Sequence, residues 1–194
     1  MWARSAIVTM SMVVLVRAQI PSLGNCPSYS PMQDFNMSLY MGRWYEAERY
    51  FNIYQIGGVC VTLDYVKDEN NSTKAVRRQQ SALTGSISES DGKVSDVRNS
   101  PQSTFFMRYS YLPMEIPYTI LGTDYGNYSV AWSCNSFGIA TTTNAWILTR
   151  ERHPSLETMQ KAYAVFDKFN ISKAYLMRTN EWNCLEDKKH LNST

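Results

Sequence analysis

Histidine is almost missing from this chain: His153 and His190 are the only two, far apart and each in polar surroundings. A zinc site needs about four closely placed ligands, so neither a metal centre nor a cofactor is expected. No Cys-x-x-Cys pair occurs among Cys26, Cys60, Cys134 and Cys184. After the first twenty residues no stretch is apolar for the roughly 20 residues that a bilayer-spanning helix takes. Charge of either sign is in no excess, with 19 Lys and Arg against 17 Asp and Glu. A near-neutral chain has no electrostatic reason to seek nucleic acid.

What is there begins with a leader. Arg4 precedes a mostly apolar run from Ala6 to Val16, and Val16-Arg17-Ala18 puts small residues where a signal peptidase reads. This pattern predicts a secretory signal peptide over residues 1–18, cut before Gln19, and a secreted, extracellular protein. Residues 19–194 suit a single domain with a proper hydrophobic core. Four cysteines in a secreted chain suggest two disulfides, and spacing alone leaves all three pairings open. Six asparagines fit Asn-x-Ser/Thr. Glycans are expected at Asn70 or Asn71, which share a polar turn, and at Asn127 and Asn170, ahead of Asn36 and Asn192.

The body of the chain is a succession of short strand patterns. Gly42 allows a sharp bend before Trp44, and Trp44 to Phe51 reads as a first strand. Val59 to Val66 is β-branched and alternates. Thr73 to Ala82 is weaker and carries Arg77 and Arg78. Ile87 to Val94 contains Asp91-Gly92, which suggests a turn or bulge. Thr104 to Leu112 puts Phe105, Met107, Tyr109 and Tyr111 on one face. Tyr118 to Tyr125 and Tyr128 to Cys134 form a hairpin pattern. Ala145 to Arg150 follows a threonine-rich loop. Ser155 is a good N-cap, and Leu156, Met159, Tyr163, Phe166 and Phe169 then recur at helical steps. Ala174 to Arg178 suits a last short strand. About eight strands at hairpin spacing, then one helix, indicate an all-β up-and-down barrel or a sandwich.

Three separated patches carry a resemblance. Gly42-Arg43-Trp44-Tyr45-Glu46 opens the first strand, Thr123-Asp124-Tyr125-Gly126-Asn127-Tyr128 sits at the hairpin, and Ala145-Trp146-Ile147-Leu148-Thr149-Arg150 ends the last main strand. In this order, with the cysteines at Asn25-Cys26-Pro27, Gly58-Val59-Cys60 and Asn183-Cys184, the chain resembles the lipocalins, most closely the apolipoprotein D and Lazarillo type. The resemblance implies an eight-stranded antiparallel barrel with the C-terminal helix packed outside. It implies disulfides Cys26–Cys134 and Cys60–Cys184, each worth roughly 4–5 kcal/mol on chain-entropy reasoning. It places Arg150 across the ring of Trp44, closing the barrel's base together with Gly42, Thr123, Asp124 and Tyr125 as structural residues.

The same resemblance puts Tyr40, Tyr65, Tyr109 and Trp146 at the lining of an internal pocket, and alternation adds Phe105, Met107 and Thr119. Thr119 stands where that branch of the family carries a tryptophan, which implies a larger or wetter pocket. The expected function is binding and transport of a small hydrophobic molecule: a fatty acid, sterol, retinoid or similar lipid. Leu112, Met114 and Ile116 around the open end suggest transient contact with a membrane or lipoprotein. The alternative is a bilin-type pigment carrier. No enzyme is expected, because Asp124 has no accompanying base or nucleophile and the prostaglandin-isomerising lipocalins use a free thiol.

Overall fold

The computed structural model describes residues 21–96, 103–110, 112 and 114–185. The expected leader, its cut site and Asn192 lie outside the described residues.

One antiparallel sheet closes on itself. Its strands are β1 (Pro21–Leu23), β2 (Gly42–Tyr50), β3 (Gly58–Lys67), β4 (Thr73–Ser81), β5 (Ile87–Asp96), β6 (Thr104–Tyr109), β7 (Ile116–Thr123), β8 (Tyr128–Phe137), β9 (Ala140–Thr149) and β10 (Leu176–Arg178). Each of β2 to β9 pairs with the next in sequence, and β9 returns to β2, with Tyr45 opposite Thr149 and Arg49 opposite Trp146. The eight strands β2 to β9 are therefore the expected barrel. Strand β1 adds to β9. A short helix, α1 (Met37–Tyr40), leads into β2, and α2 (Leu156–Lys168) lies outside the wall.

Alternation along the strands sorts the apolar residues into two cores. Inside lie Trp44, Val61, Leu63, Tyr65, Phe105, Met107, Tyr109, Tyr118, Ile120, Trp146 and Leu148. Between the wall and α2 lie Tyr50, Leu121, Val130, Trp132, Ile147, Met159, Ala162 and Phe166. Ser155 caps α2 by accepting the Thr158 amide at 3.2 Å. Leu156, expected on the buried stripe, is 73% exposed; the buried face of α2 begins at Met159 and continues through Ala162 and Phe166.

The second departure from a plain meander is a seam. Strand β3 pairs with β2 only over Gly42–Tyr45 and then bulges at Cys60, whose φ is +52°. Strand β10 takes the edge of β2 that β3 leaves, with Leu176 opposite Tyr50 and Arg178 opposite Glu48. The segment after it bonds both neighbours: the Thr179 amide donates to Ala47 at 3.0 Å, and the Cys60 amide donates to Asn180 at 2.9 Å. The Cys60–Cys184 disulfide locks this seam, and Cys26–Cys134 ties the lead-in to β8. All four cysteines are used.

Two local expectations are corrected. Asp91-Gly92 makes no turn or bulge; β5 runs through it in unbroken register. Gly92 is needed because a Cβ there would lie 2.7 Å from the Tyr109 ring. The threonine-rich loop is strand: Thr141, Thr142 and Thr143 belong to β9. Their branched side chains suit a pleated sheet, so β9 starts at Ala140 rather than Ala145.

Candidate ligand-binding site

The barrel's base is closed by packing and by one cation. Gly42 has φ +93°, a conformation that L side chains rarely adopt, and a Cβ there would sit 3.5 Å from the Arg150 guanidinium. That guanidinium lies 3.7 Å over the Trp44 ring. It donates to the backbone carbonyls of Arg43 at 2.6 Å, Met41 at 2.9 Å and Tyr125 at 2.9 Å, with longer bonds to those of Tyr40 at 3.3 Å and Leu39 at 3.4 Å. Trp44 Nε1 donates to the Tyr40 carbonyl at 2.9 Å. Asp124 organises the β7–β8 turn by accepting the amides of Asn127 at 2.7 Å and Tyr128 at 3.0 Å. Burial raises its pKa, but these bonds and the one from the Asn127 side chain outweigh that and hold it below the usual carboxylate value. Thr123 completes the turn, donating to the Tyr128 carbonyl at 2.6 Å and accepting the Tyr125 amide at 2.9 Å.

Above this floor a ladder of rings fills the lower barrel. Trp44 and Tyr40 are 4.9 Å apart between centroids, Tyr40 and Tyr65 5.1 Å, Tyr65 and Phe105 6.4 Å, Phe105 and Tyr118 5.4 Å, and Tyr118 and Trp146 5.2 Å. Burial pushes the phenols of Tyr40, Tyr65 and Tyr118 above their ordinary pKa, so all three stay neutral.

Open space starts where the ladder ends. An inner cavity of about 40 Å³ is lined by Leu63, Arg77, Met107, Tyr109, Tyr118 and Trp146, with Glu46 also on its wall. A wider region of about 340 Å³ lies at the mouth, against Phe51, Met114, Phe137 and Thr143. The two share Asn52, Tyr54, Leu112, Ile116 and Trp146, so they lie side by side across these residues.

This arrangement divides the expected lining residues. Met107, Tyr109 and Trp146 border the inner cavity. Tyr40, Tyr65 and Phe105 are packed in the ladder beneath it, at 1% exposure or less. Thr119 faces outward, since Tyr118 and Ile120 on either side point in; its hydroxyl lies 3.4 Å from that of Thr104. The threonine there therefore does not enlarge the cavity, contrary to the expectation from the missing tryptophan.

Sequence reasoning missed Leu63, Tyr118 and the two charged residues on the cavity wall. Arg77 was visible as a basic residue in a strand whose neighbours Ala75 and Gln79 share its face. Its Nη1 donates to Gln79 Oε1 at 2.5 Å, while Nε and Nη2 are buried without a partner. Glu46 Oε1 accepts from Arg49 at 2.9 Å and from Thr179 at 2.9 Å. Among the described residues, Cys60, Glu181 and Cys184 have the spacing of a metal cluster, but both sulfurs are in a disulfide and offer no thiolate.

Comparison with known proteins agrees with this geometry. The family described as "Lipocalin-like domain" matches residues 35–180. Apolipoprotein D of Macaca fascicularis is 30% identical over 84% of this chain and 86% of its own. Lazarillo protein of Schistocerca americana is 33% identical over 79% of this chain and 74% of its own. Among solved structures, insecticyanin from the tobacco hornworm Manduca sexta superposes with a TM-score of 0.74 at 21% identity, covering 84% of this chain and 89% of that one. Lobster apocrustacyanin A1 gives 0.69 at 23% identity, covering 79% and 84%. At these identities the structural likeness speaks for the fold.

Proposed function

The chain belongs to the lipocalin-like family, and from that premise we propose that it binds a small hydrophobic molecule in the upper barrel and carries it outside cells. The observation that carries this reading is the pair of adjoining cavities between Tyr109 and the mouth, with Trp146 on the wall of both. Its walls are mostly apolar with a few polar groups, as small-molecule sites are. Apolar ligand surface buried there contributes about 25 cal/mol per Å².

The extracellular part of the proposal rests on the leader pattern, the two disulfides and the sequons. Asn70, Asn71, Asn127 and Asn170 are all exposed. Loading from a lipid surface is part of the same reading. Tyr54 and Met114 at the mouth are 59% and 41% exposed, and Phe137 is 50% exposed at the β8–β9 tip. Native mass spectrometry of protein from its natural source, with lipid extraction, tests the proposal. A bound lipid is expected. Protein that carries nothing and takes up no lipid overturns it, and a visible absorption band assigns the site to a pigment instead.

A further inference from the structure

We propose that the preferred ligand is a carboxylate-headed lipid, bound head inward with its charge on Arg77. This rests on the carrier reading above and adds the chemistry and orientation of the guest.

Arg77 lies on β4 opposite Leu63, on the face that looks into the barrel, and is 6% exposed. A guanidinium carries five N–H donors, and burying charged donors without partners is costly. Here Gln79 takes Nη1 only. Nε and Nη2 are left, and these two form one edge of the planar fork. That edge matches the two oxygens of a carboxylate. The chain shows the match elsewhere: Arg43 uses its Nε and Nη2 on the two oxygens of Asp64, each at 2.8 Å.

The charge balance of the cavity points the same way. Glu46 is also on the wall, but Arg49 neutralises it through a buried ion pair at 2.9 Å. No ion pair joins Arg77 to a carboxylate of the described residues, so the wall keeps one unneutralised positive charge. The shape agrees with the charge. About 40 Å³ around Arg77 is room for a few water molecules or a head group. An alkyl chain needs the wider region, where Leu112, Met114, Ile116, Phe137 and Trp146 offer apolar surface. A sterol or an alcohol satisfies the apolar region but brings one neutral oxygen, which cannot pair both edge donors or the charge.

The test compares hexadecanoic acid with 1-hexadecanol, titrated into the full disulfide-bonded protein and its Arg77→Met and Arg77→Lys variants, with binding read by tryptophan fluorescence and calorimetry. The wild type is expected to bind the acid at least tenfold more tightly than the alcohol. Arg77→Met is expected to bring the acid-to-alcohol affinity ratio down to about one, and Arg77→Lys to keep part of the preference. Equal affinities for acid and alcohol in the wild type, or a preference that survives in Arg77→Met, overturn the proposal. The wild-type ratio decides alone if the variants do not fold. Binding of the alcohol without preference spares the carrier reading; binding of neither removes both.

Discussion

Arg150 stands with its guanidinium carbon 3.7 Å from the centre of the Trp44 ring while its nitrogens hold carbonyls from α1's end, from β2 and from the β7–β8 turn. One side chain thus joins three separate parts of the chain over a fully buried indole. Arg150→Ala is expected to cost about 2–4 kcal/mol, from the cation–π contact and the charged hydrogen bonds together. Trp44→Ala is expected to cost about 3–5 kcal/mol. Urea titration checks both, and a double-mutant cycle should return a coupling of about 0.5–2 kcal/mol.

Trp146 borders both parts of the proposed site, whereas Phe105 is packed beneath them. Trp146→Ala should weaken binding of a fluorescent fatty acid while the protein stays folded. Phe105→Ala should lower stability by about 3–5 kcal/mol. Thr119→Val, on the outer face, should leave binding unchanged within twofold. Equal affinity in the wild type and Trp146→Ala would remove the indole from the site.

Gly92 sits flat beneath Tyr109, which lines the inner cavity. Gly92→Ala forces a contact of 2.7 Å unless the ring moves. The expected cost is about 1–3 kcal/mol, as for overpacking, accompanied by weaker binding of the inner part of the ligand. Melting curves and a lipid titration on the same preparation check both effects.

Glu181 gives a pH signature. Burial pushes its pKa up to about 7, against the pull of Arg152 and the Val61 amide. The folded state then holds a proton that the unfolded chain has released, so this residue's contribution to stability is full below about 4.5 and is lost as pH rises towards 7. Melting temperatures measured across this window should fall less steeply with rising pH in Glu181→Gln than in the wild type.

The two disulfides close separations of 108 and 124 residues. Replacing either pair by serine is expected to cost roughly 4–5 kcal/mol. Losing Cys60–Cys184 should also free the segment that bonds β2 and β3, seen as faster amide exchange at Val61 and Thr179 than at the centre of β8.

The barrel was legible because its signals are local and repeated: alternation in β3 and β6, the Ser155 cap and the patches around Trp44, Asp124 and Trp146. The site was less legible because depth in a barrel is not written in any one strand. Tyr65 and Tyr109 share a face type in the sequence, yet one is packed under the cavity and the other borders it. Thr119 was misplaced because alternation was counted on the wrong face of its strand: Tyr118 and Ile120 point in, so Thr119 points out. Gly92 looked like a turn because the ring that requires it comes from β6, a separate strand. Arg77 stood out only once the residues around it were known to be apolar.

The seam at Cys60 has a consequence for how the vessel comes into being. The stave that fills its gap is supplied by residues 176–181, which follow all eight barrel strands in chain order. Without that segment β2 and β3 part beyond Tyr45 and the wall is open beside Val61. The last closure of the wall thus falls to a segment from outside the barrel, and the Cys60–Cys184 bridge fastens it there.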